Sequence, residues 1–166
     1  MIKVTDLKET RPTVRYQNGD VTLQTLQDAI EICAKKMMIP VAFKMDEVVA
    51  GKKRTDEVEE CLLIYHPEHE KDYVNFCIRI KMQGTYAFVS VHEYGKSKLL
   101  VRDKMIGGAS MGAAVGGLLS ASVAGAIVGV AAGNLLKKKV SPDQMKVEDE
   151  KNYYVCIGDI LDEVIS

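Results

Sequence analysis

Leu23, Leu26, Ile30, Cys33 and Met37 recur at steps of three and four, which places them on one stripe of an α-helix. Thr22 or Asp20 can cap its start, and Pro40 stops it. Downstream the period changes to two. In residues 73–81, Val74, Phe76, Ile78 and Ile80 alternate with Asn75, Cys77 and Arg79, the signature of a half-buried strand. Residues 61–65 form a short apolar run, residues 85–94 read as a further strand, and residues 98–102 as another after the turn at 95–97. Strands joined this tightly predict an antiparallel meander. One face is expected to be solvated and the other covered by the helix. Residues 41–45 predict a short strand, residues 46–60 a polar excursion, and residues 13–16, following Pro12, a short edge strand.

Residues 141–151 read as a polar linker, 152–157 as a strand, and 158–166 as a short helix with Ile160, Leu161, Val164 and Ile165 apolar. Such a fragment cannot bury itself alone, so it is expected to return to the meander.

Neither period describes residues 106–136, about thirty positions without one charge. Apolar or small on every side, this segment suits a helix buried in protein or lipid. Gly108, Gly112 and Gly116 stand four apart, as do Gly117, Ala121, Gly125, Gly129 and Gly133. Such small-xxx-small stripes let backbones approach closely, the packing device of helices in bilayers. With Ser120-Ala-Ser122 as the bend, a helical hairpin is expected, flanked by Arg102 and Lys104 before it and Lys137, Lys138 and Lys139 after it. Positive flanks favour the cytoplasmic side. An arm of about fourteen residues reaches roughly 21 Å, short of a hydrocarbon core of about 30 Å. The hairpin therefore re-enters, thins the bilayer, or buries its turn among neighbouring copies.

The run Ile106-Gly-Gly with Gly112 and Gly116-Gly117, followed by residues 124–134, resembles the glycine-zipper two-transmembrane segments of bacterial envelope proteins. The resemblance covers this segment alone and implies membrane insertion and self-association. Many members of that family are exported lipoproteins. Residues 1–9 carry neither an apolar signal core nor a lipid-attachment cysteine, which argues against export; with the positive flanks, the expectation is the cytoplasmic side of the inner membrane, with a soluble cytoplasmic state as a further possibility.

The expected fold class is α+β: an antiparallel β-meander covered by an amphipathic helix, with an inserted glycine-rich apolar helical hairpin. Its parts are residues 1–105, the hairpin at 106–136, and residues 137–166 returning to the first part. Across 166 residues, 22 basic side chains balance 23 acidic ones. That balance gives no electrostatic reason to expect nucleic acid as a partner. Cys33, Cys61, Cys77 and Cys156 show no short paired spacing, which favours reduced, buried thiols over a disulfide scaffold or zinc site.

Candidate chemistry is sparse. His66, His69 and Glu70 form a potential metal corner, but it lacks a third fixed ligand and suits a solvated hairpin tip. His92 suits a satisfied polar position on a strand. The basic tip Gly51-Lys-Lys-Arg-Thr lacks phosphate-loop spacing, and Gly107-Gly-Ala-Ser-Met-Gly112 lacks the dinucleotide-binding pattern. No nucleophile elbow is present. No enzyme, cofactor or metal is therefore expected. The reading is a small membrane-inserting, self-associating protein, pore-forming or membrane-perturbing, with the lipid bilayer and further copies of itself as partners. The alternative is an intracellular binding or scaffold module that uses the hairpin for oligomer packing or tethering.

Overall fold

The computed structural model describes residues 1–51, 57–100 and 140–166. In chain order it comprises β1 (Ile2–Lys3), a 3-10 turn (Val4–Asp6), β2 (Lys8–Glu9), β3 (Val14–Tyr16), α1 (Leu23–Met37), β4 (Ala42–Val49), β5 (Val58–Tyr65), β6 (Asn75–Gln83), β7 (Tyr86–Tyr94) and α2 (Pro142–Val164). The fold is α+β. The strands form one mixed sheet in the order β1-β4-β5-β6-β7-β2, with β3 also paired to β7. The expected meander is its centre: β4 to β7 pair consecutively and antiparallel, from Ala42↔Tyr65 to Gln83↔Tyr86. Gly84, at φ +60°, takes the left-handed conformation needed between β6 and β7. The edge strand expected at 13–16 is β3.

Helix α1 lies where the stripe predicts. The Thr22 hydroxyl accepts the Thr25 N–H, and Leu26, Ile30, Cys33 and Ala34 are buried. Phe76, Ile78, Leu62, Ile64, Val89 and Val91 meet them on the inner face of the sheet.

Four expectations need correction. Residues 141–157 are neither linker nor strand but most of α2. Ser141 caps its start by accepting the Gln144 N–H, Pro142 occupies the first turn, and the core stripe runs Val147, Glu150, Tyr154, Ile157, Leu161, Val164. Strand propensity is worth about 1 kcal/mol across its whole scale, whereas each buried isoleucine or leucine contributes about 1.5–3 kcal/mol. Packing therefore decides the conformation of the Tyr-Tyr-Val-Cys-Ile run.

Residues 98–100 are helical rather than extended. The buried Ser97 hydroxyl accepts the Leu100 N–H at 3.0 Å and starts that turn. The 46–60 excursion is shorter than expected, because β4 and β5 extend through Val49 and from Val58. Finally, the outer face is not simply solvated. Ile2, Val48, Cys61, Leu63 and Cys77 form a second buried cluster, with Leu7 and Tyr94 packed against it. The expected glycine-rich hairpin lies outside the described residues.

Candidate functional site

The α2 stripe has one acidic member. Glu150 is fully buried, at 0% exposure, in a row of apolar and aromatic residues. The Tyr154 hydroxyl donates to Glu150 Oε2 at 2.8 Å and accepts the Val74 N–H at 2.8 Å. The buried Ser97 hydroxyl lies near the carboxylate, drawing its pKa down, and its oxygen accepts the Leu100 N–H. Through Tyr154 the carboxylate is thus linked to the entry of β6. Burial raises its pKa, and the Ser97 and Tyr154 hydroxyls pull it back down. Oε1 keeps no hydrogen-bond partner.

Around this group lies an aromatic cluster. Asp72 Oδ2 is 3.0 Å from His69 Nδ1, and the His69 ring stacks on Tyr73 with centroids 4.1 Å apart. His66 lies 4.7 Å from His69 and 4.7 Å from Tyr153. The Tyr153 hydroxyl donates to the Pro40 carbonyl at 2.8 Å. Burial, followed by the neighbouring His69, lowers the His66 pKa. The His66 Nδ1 accepts the Glu68 N–H at 3.1 Å. One nitrogen of each imidazole is engaged inside its own loop. Among the described residues, no group of three or more histidine, cysteine or acidic side chains is arranged to hold a metal.

The outer face carries a second polar group. Arg79 bridges Glu59 Oε2 at 3.2 Å and donates from Nε to His92 Nε2 at 3.3 Å, with Ser90 Oγ 3.2 Å from the same nitrogen. A nitrogen that accepts from arginine cannot also be the free base of a serine nucleophile, so this arrangement is an ion-pair network rather than a hydrolytic triad. Burial, and then Arg79, lower the His92 pKa. All four cysteines are free thiols; Cys33, Cys61 and Cys77 are buried and Cys156 is partly exposed.

A shallow groove of about 460 Å³ opens between the start of α1 and the neighbouring strands, lined by Val21, Leu23, Glu60, Ile80 and Met82 among others. It takes in none of the groups around Glu150.

The glycine rows at 108–133, Ala121 and the flanking Arg102, Lys104 and Lys137 to Lys139 lie outside the described residues. His66 and His69 come together as their spacing implies, while Glu70 is not among their partners. Glu150, Tyr154 and Ser97 form the buried polar group, with the partly exposed Asp72 paired to His69 nearby, and none of these is among the sequence candidates. The signal was available: positions 147, 150, 154, 157, 161 and 164 keep helical spacing with a single acidic residue inside. Among the described residues, no helix is long and apolar enough to cross a membrane. No family model, curated protein or solved structure matches this chain.

Proposed function

We propose that this chain is a membrane-associating, self-associating protein that acts by inserting the charge-free segment 106–136 while the α+β domain holds both ends of that segment at the bilayer surface. One observation carries the reading. Leu100, the last described residue before the segment, and α2, which follows it, belong to the same buried core. Ser97 at the exit and Glu150 on the return are both fully buried, near enough for Ser97 to lower the Glu150 pKa. An uncharged insertion of this length, rich in small residues and flanked by Arg102, Lys104 and Lys137 to Lys139, suits a hairpin that leaves and re-enters on one side of a bilayer. The short reach of each arm favours several copies, which would bury the turns against one another.

The test compares the full chain with a variant in which residues 106–136 are replaced by a short polar linker. The full chain is expected to remain in the membrane pellet through a carbonate wash and to float with anionic liposomes. The variant is expected to stay soluble with unchanged helix and strand content by circular dichroism. Release of the full chain by carbonate, or an unfolded variant, overturns the reading. Dye release from the same liposomes distinguishes a pore from a tether.

A further inference from the structure

The outer face of the sheet brings two thiols together. The register Cys61↔Arg79 and Leu63↔Cys77 makes Cys61 and Cys77 diagonal neighbours on β5 and β6, and both are fully buried in the cluster with Ile2, Val48 and Leu63. Their side chains leave the same face of the sheet, close enough for each thiol to shift the other's titration. That proximity holds Cys61 below the usual thiol range, aided by the Arg79 guanidinium, and pushes Cys77 far above it. The two thiols therefore titrate as one coupled pair. On the same face a cavity of about 30 Å³ is lined by Val48, Glu59 and Arg79, the last of these paired with Cys61 in the strand register. That is room for about one water, and a peroxide molecule is little larger.

We propose that Cys61 and Cys77 form a reversible redox pair, closing to a disulfide across β5 and β6 when a peroxide-class oxidant reaches Cys61. The Cys61 thiolate attacks one peroxide oxygen, the O–O bond breaks, and hydroxide leaves, giving a sulfenic acid on Cys61. The Cys77 sulfur then displaces the sulfenic oxygen, the S–S bond forms, and the oxygen leaves as water with the Cys77 proton. The two cysteines lose two electrons and two protons in all, and the peroxide becomes two waters. Diagonal neighbours stand roughly 7–8 Å apart and a disulfide spans at most about 7 Å between Cα atoms, so closure draws the strands together slightly. A bond formed under that demand is readily reduced.

Tryptic cleavage after Arg54, Lys71 and Arg79 puts the two cysteines in separate peptides, 55–71 and 72–79. The folded full chain is treated with hydrogen peroxide, denatured in iodoacetamide and digested. The expected product is peptides 55–71 and 72–79 joined, two hydrogens lighter than their sum, with both thiols lost in equal measure and recovered by dithiothreitol. Recovery of both peptides alkylated while Cys156 is oxidised overturns the proposal, as does pairing of either thiol with Cys33 or Cys156. In the Cys77→Ser variant, dimedone should trap Cys61. In Cys61→Ser it should leave Cys77 unmodified, and labelling of Cys77 there overturns the assignment of Cys61 as the attacking sulfur. Circular dichroism before oxidation shows that each variant retains the fold.

Discussion

Tyr154 and Glu150 stand one turn apart on α2, and the tyrosine hydroxyl reaches Glu150 Oε2 at 2.8 Å while accepting the Val74 N–H at the same distance. The hydroxyl therefore satisfies a buried backbone donor and a buried acceptor at once. Removing it orphans both, and an unsatisfied buried polar group costs more than the net worth of the hydrogen bond.

Tyr154→Phe is accordingly expected to destabilise the domain by about 1–3 kcal/mol, read as a lower urea midpoint at an unchanged slope. Ser97→Ala, which uncaps the 97–100 turn, should cost about 1 kcal/mol. Because both hydroxyls meet one carboxylate, the double variant should lose less than the sum of the single losses. Additive losses would mean that Ser97 and Tyr154 act independently, and a Tyr154→Phe midpoint equal to wild type would remove the network from the account.

Glu93 gives the fold a pH dependence. It is buried opposite Phe76 on β6, its Oε1 has no hydrogen-bond partner, and burial pushes its pKa up to about 7 against a weaker pull downward from Lys8. A carboxyl group with a raised pKa binds its proton more tightly when folded. Its contribution is therefore complete below the unfolded value of 4.5 and is lost as pH rises through about 7. The loss is up to about 3 kcal/mol on that shift. Glu150, raised in the same direction, adds to this slope. His66 and His92, both lowered, oppose it, since their stabilisation is lost as pH falls below the ordinary histidine value of 6.5. Glu93→Gln should thus gain stability over wild type at pH 8 and show little gain at pH 4.5, measured by urea unfolding at both values. An equal difference at the two pH values would show that Glu93 titrates normally.

The sequence is legible where one period persists. The α1 stripe names the buried Leu26, Ile30 and Cys33, and the alternation in β6 assigns Phe76 and Ile78 to the inner core. It fails at α2, where Tyr153 to Ile157 is aromatic and β-branched and so mimics a strand, and where Glu150 breaks the apolar row that would reveal the helix. The two-residue β1 and β2 exist through pairing with distant strands, Ile2 with Val48 and Lys8 with Glu93. No local pattern can announce such a partner. The same holds for Ser97: polar and two residues after Gly95, it reads as exposed turn, yet the fold buries it completely.

Self-association should depend on the small-residue rows. Gly112→Leu and Gly129→Leu place a bulky side chain between backbones that must approach closely, whereas Leu118→Ala only trims packing. Cross-linking in liposomes is expected to show smaller assemblies for the two glycine variants and nearly unchanged ones for Leu118→Ala. Assemblies of wild-type size in both glycine variants would assign self-association to another surface.

The two ends of the segment give the remaining test. If 106–136 forms a hairpin, positions before and after it share one side of the bilayer, and the lysines and arginine at both flanks make that side cytoplasmic. Ser97 is buried and unsuitable for a probe, but Lys96 and Ser141 are exposed. Lys96→Cys and Ser141→Cys would each be placed in a background lacking Cys33, Cys61, Cys77 and Cys156. An impermeant maleimide added to intact cells should label neither position, and both should react after lysis. Labelling of Ser141→Cys alone before lysis would mean a single span that leaves α2 outside. That outcome is incompatible with α2 packing in one core with α1 and the sheet, where Tyr154 meets Phe76 with ring centroids 5.9 Å apart, so it would overturn the membrane topology and the shared core together.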